Sequence, residues 1–429
     1  MINQFTGEFF FDKSLFKNSD FIISSFKNFD VFTSKFKYVD NFSKISLVIV
    51  DDIHLLNEFD CALEVSLSRL RYFIGSKLRF IILSTSLSNY NSICEWLDIK
   101  NENCFNFETK VRQNPIEFYF YGYESISHKY RMNLMSKNIF NLLNKYSYND
   151  GNFELSTIIY VTDIKTLKKF VLDLLSFYNS NGISGKCLIK KLNKFDEFLS
   201  QNIPNEDILL ITSLKNGIGY LYNGMDDDTI NFIISLFEER IIQILIVPQK
   251  IIWKVNCQCH NVIIADTVKY DSNNGGYIDI NITDMFQMVG RASITYNTFK
   301  KNEIPNDVKN TIRRCFIFLN NSKKELYKKF LLESFPVESS LNHFIHNHLL
   351  TEISNGIIKS KQECVDWITW TFFYRRLLKN PNYYDMKGNS KEFLNEYLSE
   401  LIENTVNDLF NSGMINVKED NSFRNFKFR

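Results

Sequence analysis

Six prolines and fifteen glycines in 429 residues leave this chain short of the two strongest breakers of regular structure. Its turns must be written in Asn, Ser and Asp instead. Eight cysteines at irregular spacing form no dense disulfide framework and suit a reducing compartment. A surplus of charge is also missing: 50 Lys and Arg stand against 49 Asp and Glu, a formal net of +1. That balance excludes a whole-protein attraction to nucleic acid, so any basic track must be local. No uncharged apolar run is long enough to span a bilayer, and the N-terminus shows no basic stretch followed by an apolar core. The phosphate-cradling loop G-x-x-x-x-G-K-[ST] does not occur. The nearest string, Ser184-Gly185-Lys186-Cys187, lacks the first Gly, ends in Cys and reads as a loop.

What is present suffices for large cores. Apolar residues make up 45% of the chain and charged residues 23%, and the length favours about two to four domains. The 40 Phe and 21 Tyr, beside abundant Asn, Ile and Lys, read as AT-rich codon usage and carry little weight as base-stacking groups. Short apolar runs at 20–25, 46–50, 80–84, 157–161, 207–212, 242–247 and 261–265 predict strands. Helical patterns fall between them at 61–74, 92–97, 165–179, 191–201 and 227–239. Interleaved strands and helices argue for parallel, doubly wound sheets. The runs form two groups, with 111–115 as the expected hinge. Beyond about Leu326 the pattern is mostly helical: 325–333, 341–354, 361–378 and 391–412. The expected domains are 1–113, 114–322 and 323–429.

Four clusters could carry chemistry. Asp51-Asp52-Ile53-His54 closes the apolar run 45–50. An Asp beyond a buried parallel strand can hold Mg²⁺ through water, and a second acid can orient an attacking water; the same pair can equally be a turn that caps a helix. Ser84-Thr85-Ser86 ends another run, where short hydroxyls also make ordinary strand-end turns. Gly217-Ile218-Gly219-Tyr220 follows later. Gln287 and Arg291, four apart in Gln287-Met288-Val289-Gly290-Arg291-Ala292, share one helix face and could reach phosphates. Cys257-Gln258-Cys259-His260 suggests a metal, but no second pair lies at ligand spacing, so buried thiols are expected. His343, His346 and His348 read as a solvated helix face.

With these residues in order, the chain resembles the two-cassette RNA helicases of the spliceosomal U5 snRNP, of the Ski-two-like DExH family, and their C-terminal cassette in particular. The resemblance rests on Thr6-Gly7-Glu8, Asp20-Phe21-Ile22-Ile23-Ser24-Ser25, Asp30, Leu83-Ser84-Thr85-Ser86-Leu87-Ser88-Asn89, Gly217 to Tyr220, Trp253, Val255-Asn256 and Gln287 to Ala292. Its most specific part is late: Pro336-Val337-Glu338-Ser339, Trp370-Thr371-Phe372-Phe373-Tyr374-Arg375-Arg376 and Asn380-Pro381-Asn382-Tyr383-Tyr384. It runs from about Thr6 to about Glu419.

The resemblance implies an α/β fold: two RecA-like parallel-sheet lobes, the first incomplete, followed by a mostly helical winged-helix domain. It implies ATP and Mg²⁺ as cofactors, with Asp51 and Asp52 as a degenerate acid pair beside His54 and Asp51 as the Mg²⁺ ligand. Gln287 and Arg291 would bind nucleotide; Ser84, Thr85, Ser86, Gly217 and Asn256 would couple to RNA. Spliceosomal proteins and small nuclear RNA would be the partners, together with a catalytic helicase cassette on another chain, in the nucleus and away from membranes.

The departures weaken catalysis. The chain starts past the family's phosphate loop, Asp52 replaces a Glu, Lys254 replaces a Gly after Trp253, and Ser293-Ile294-Thr295 lacks the second Arg. The helical bundle and Sec-sixty-three-like module beyond the winged helix are also expected to be absent. The reading is a catalytically weak or inactive scaffold in pre-mRNA splicing, as the family's C-terminal cassette is regarded. The alternative is an active ATP-dependent RNA helicase whose phosphate loop lies on an upstream exon or a separate chain. An unrelated two-lobed binding module is the third reading.

Overall fold

The computed structural model describes residues 1–39, 42–57, 59–108, 111, 115–125, 127–149, 152–153, 155–182, 207–271, 275–293, 312–388, 390–417 and 423–424. They form two compact units, one of residues 1–108 with 334–429 and one of residues 109–333. The expected helix at 191–201, the string Ser184 to Cys187, most of the expected hinge and Ile294-Thr295 lie outside the described residues.

In the first unit β1 (Ile2–Gln4) pairs in parallel with β2 (Phe21–Ile23), and β3 (Leu47–Val50) with β4 (Arg79–Ile82). The helix Ala62–Ile74 follows β3 and is buried on almost every side. Leu63, Leu67 and Leu70 join a core with Phe5, Phe32 and Trp96. Val65 points into a second core with Leu341, Trp367 and Val406. A helix buried on nearly every side is a central helix, and each apolar side chain it buries contributes roughly 1.5–3 kcal/mol; its buried Glu64, Ser68 and Arg69 are held by polar partners. Val337 and Phe372 complete the first core, so the two stretches of chain in this unit pack as one body. Polar clamps reinforce that packing. Trp96 Nε1 donates to the Trp370 carbonyl at 3.0 Å, and the Arg69 guanidinium, fully buried, pairs with Asp30 and Glu352.

The second unit is built on β5 (Ile116–Tyr123), β8 (Thr157–Val161), β9 (Ile218–Tyr220), β10 (Ile244–Pro248), β11 (Asn261–Ala265) and β14 (Arg313–Asn320). The short hairpins β6 (Tyr148–Asn149) with β7 (Asn152–Phe153) and β12 (Val268–Asp271) with β13 (Gly276–Asp279) lie outside that sheet. All six strands run parallel, in the order β5-β14-β11-β8-β10-β9. Every residue of β8, β10 and β11 is buried, which is why their sequences are almost wholly apolar, with only Thr157 and Asn261 polar at the strand starts. The chain leaves β8 toward β9 and β10, then crosses to β11 on the other side of β8. The ends of β8 and β11 are therefore the topological switch point, where open parallel sheets place ligands. β15 (Asn416–Val417) and β16 (Phe423–Arg424) form a small antiparallel pair in the first unit.

Several expectations are corrected. The run 207–212 is not a strand: Asp207 accepts the Leu210 amide at 3.1 Å and starts the helix Ile208–Lys215, and β9 takes the strand position. Apolar runs this short carry no period to separate the two states, and the cap decides. The expected helix 361–378 is two helices, Lys361–Ile368 and Phe372–Lys379, because Thr371 caps the second through its hydroxyl. His348 is buried, with Nε2 against the Asp60 carbonyl at 2.6 Å, so only His343 and the half-exposed His346 sit on a wet face. Cys94 and Cys104 are paired, with Cα atoms 7.1 Å apart. Cys257 and Cys259 are buried free thiols, as expected.

Candidate functional site

The register Val50↔Ile82 sets Asp51 and Asp52 alongside the residues that leave β4, at the carboxyl ends of both strands. Asp51 is exposed and Asp52 half-exposed. Asp52 takes a left-handed backbone (φ 56°) and makes no side-chain cap bond, so the pair is not a helix-capping turn. His54 is buried with Nδ1 3.8 Å from Asp52 Oδ1. Burial lowers its pKa against the pull of Asp52 and Asp51, which leaves the ring neutral near pH 7. Two solvent-facing carboxylates beyond a parallel strand fit a hydrated divalent cation.

The hydroxyl run has another occupation. Ser86 Oγ meets Ser334 Oγ at 2.8 Å and Asn106 Oδ1 at 3.2 Å. The Phe335 amide donates to the Ser86 carbonyl at 3.0 Å, and the Ser88 amide to the Phe335 carbonyl at 3.0 Å. Val337 N donates to Asn89 Oδ1 at 3.0 Å. Residues 86–89 are thus laced to 334–337. Ser84 is exposed, and Thr85 Oγ1 is buried without a hydrogen-bond partner.

In the second unit, Arg291 is the C-cap of the helix Ile282–Gly290, and Gln287 lies one turn back. Arg291 donates to Asn256 Oδ1 at 3.1 Å, and its carbonyl accepts the Cys259 amide at 2.9 Å, which anchors it near the amino end of β11. Its buried Nε has no partner. That atom is closed to solvent beside the buried Tyr160, so a phosphate oxygen could meet only the half-exposed remainder of the guanidinium. Gly217 is elsewhere: it has φ 76° and its carbonyl accepts the Gln243 and Ile244 amides, at the amino end of β9. Its role there is the turn into the strand. Lys254 is exposed, so its bulk meets no obstacle.

Burial keeps Cys257-Gln258-Cys259-His260 inert. It pushes the Cys257 thiol up to about 12, raises Cys259 as well and drops His260 to about 3, helped by Arg240 and Arg313.

A network that sequence reasoning missed fills the switch point. Asp266, directly after β11, is fully buried and left-handed at φ 79°. Its Oδ2 accepts from Arg131 Nε at 3.0 Å and Nη2 at 2.7 Å and contacts His128 Nδ1 at 2.8 Å. His128 Nε2 reaches Thr162 Oγ1, after β8, at 3.1 Å. Tyr277 packs at a tilt of 37° against His128 with ring centroids 4.4 Å apart, and its hydroxyl donates to Asp163 Oδ2 at 3.4 Å. The Thr–His–Asp order resembles a nucleophile relay. Thr162 is wholly buried, however, and its hydroxyl is spent on Asp163 as well. The arrangement locks the crevice shut with the protein's own side chains. The one sequence signal was an acid ending an apolar strand.

Residues 338–419 match a winged helix-turn-helix domain of the SNRNP200 type. The chain is 34% identical over 422 residues to the DExH-box ATP-dependent RNA helicase DExH12 of Arabidopsis thaliana, covering 97% of this chain and 19% of that protein. It is 34% identical over 423 residues to the U5 small nuclear ribonucleoprotein 200 kDa helicase of Homo sapiens, again 97% and 19%. Subunit 3 of the activating signal cointegrator 1 complex of Dictyostelium discoideum is 32% identical over 420 residues. The chain spans about a fifth of the length of these relatives. Along nearly its whole length, then, it is a homologue of the DExH-box RNA helicases that include the U5 small nuclear ribonucleoprotein 200 kDa helicase.

Proposed function

We propose that the chain serves pre-mRNA splicing as a catalytically weak or inactive scaffold derived from a DExH-box helicase cassette. Its partners are spliceosomal proteins and small nuclear RNA, and its location is the nucleus. The homology to U5 small nuclear ribonucleoprotein helicases supports the setting. The lacing of Ser86 and Asn89 onto Ser334 and Val337 carries the scaffold reading. In the family these strand-end hydroxyls would couple nucleotide to RNA; here they help to hold residues 1–108 and the winged-helix stretch in one packed body. The division into a partial first RecA-like lobe, a second lobe and a winged helix belongs to the same reading.

ATP with Mg²⁺, when bound, supplies a phosphoanhydride to cleave and the charge that orients it. Asp51 would hold the ion through water, and Gln287 and Arg291 would meet phosphate oxygens. Asp52, a methylene shorter than Glu, places its carboxylate farther from an attacking water. That shorter acid supports slow turnover.

The test is RNA-stimulated ATP hydrolysis by the purified chain. The expected rate is at background and unchanged in Asp51→Ala. Robust turnover that Asp51→Ala abolishes would overturn the pseudo-enzyme reading. Binding of a fluorescent ATP analogue, weakened in Arg291→Ala, reports residual nucleotide affinity separately.

A further inference from the structure

The helix Lys391–Asn411 and the turn before it enclose a groove of about 250 Å³, inside the winged-helix match. The floor is apolar: Met386, Phe393, Tyr397 and Leu401. Phe393 keeps 41% of its surface exposed, a large ring left in water. Its placement depends on Gly388, where an added Cβ would lie 2.7 Å from Phe393 Cδ2.

The rim is acidic. Glu396 and Glu400 are four residues apart on the exposed helix face, and Asp385 lines the groove from the turn. Like charges at that spacing repel and weaken the helix. Among the described residues none of the three carboxylates has a side-chain hydrogen bond or an ion pair. Lys387 is the one cation in the lining. Asp385 and Glu400 both raise the pKa of the half-buried Tyr397, after burial itself, so their fields converge on the floor.

We propose that this groove docks a basic segment of a protein partner, one aliphatic side chain on the floor and Lys or Arg against Asp385, Glu396 and Glu400. Charge sign excludes a nucleic-acid backbone here, although the domain type commonly reads nucleic acid, because phosphates would meet unpaired carboxylates. The formal net charge of +1 means that the attraction comes from this patch and not from the whole protein. The docking is independent of whether the chain hydrolyses ATP.

Fluorescence anisotropy with the full chain tests it, using a labelled peptide with one leucine flanked by lysines and arginines. A control peptide carries serine in place of the leucine. Saturable binding is expected, about tenfold tighter for leucine than for serine, the scale of one buried aliphatic side chain. The double variant Glu396→Gln and Glu400→Gln should weaken binding about threefold or more, the scale of two exposed ion pairs. Gly388→Ala should displace Phe393 and erase the leucine preference while leaving the charge-driven part. Circular dichroism and thermal unfolding check that both variants fold. Equal binding of the two peptides, undiminished binding by the folded glutamine variant, or displacement of the peptide by single-stranded RNA would each overturn the proposal.

Discussion

Glu338 and Arg376 form a two-point ion pair in the first unit, with Nε to Oε2 at 2.9 Å and Nη2 to Oε1 at 2.6 Å. Asn380 and Tyr384 add donors to the same carboxylate, and Arg376 Nη1 donates to Ser92 Oγ at 3.0 Å. The pair joins the string Pro336-Val337-Glu338-Ser339 to the helix Phe372–Lys379 and both to the helix Tyr90–Leu97. Removing one partner strands a desolvated charge. Glu338→Ala should cost about 3–5 kcal/mol in urea unfolding followed by tryptophan fluorescence. Arg376→Met added to it should recover part of that loss, because the orphaned cation is gone.

Glu64 gives the first unit a pH dependence. Burial pushes its pKa from 4.5 up to about 7, against hydrogen bonds from Ser339 and the Phe373 and Phe372 amides. Between those values the folded chain holds a proton that the unfolded chain has lost. Stability from this site is therefore full below pH 4.5, falls as pH rises towards 7 and is flat above. The whole excursion is about 3 kcal/mol at most. Glu64→Gln, neutral at every pH, should remove that slope from urea midpoints measured on either side of the window. An unchanged slope would exclude Glu64 as its source.

Asp266 is predicted to be the structural keystone of the second unit. Asp266→Ala leaves Arg131 and His128 without their buried acceptor, at a cost of about 3–5 kcal/mol. Arg131→Met in that background should partly restore stability. Additive losses in a double-mutant cycle would mean that the two residues are not coupled.

Gly219 in β9 has no room for a side chain. A Cβ there would lie 2.6 Å from Ile242 Cδ1 and 3.0 Å from Ile233 Cγ2. Gly219→Ala should destabilise the second unit by about 1–3 kcal/mol. Trimming Ile242→Val, which removes the clashing Cδ1, should return much of it in thermal unfolding.

The strands 157–161 and 261–265 were legible to the residue, since both of their faces are buried and the sequence after the first polar residue of each is apolar. β5 and β14 were not anticipated, although they pair over eight residues. β5 is half-exposed along most of its length and β14 opens with Arg313-Arg314, so neither reads as a simple run. Asp51, Asp52 and Arg291 stand out in the sequence because each closes a patterned element. Arg131 and His128 do not, because nothing near them in sequence reveals that Asp266 will face them.

The sequence alone determined the order of the motifs, the strand and helix types of most segments, and the acid and hydroxyl residues at strand ends. These depend on periodicity and capping within a few residues. Only the tertiary structure decided what those side chains touch. Ser86 and Ser334 are 248 positions apart yet 2.8 Å from each other, and Arg69 finds Glu352 across 283 positions. Such contacts have no local signature: closing so long a loop is entropically costly, and it is repaid only by the shared core that brings the ends together.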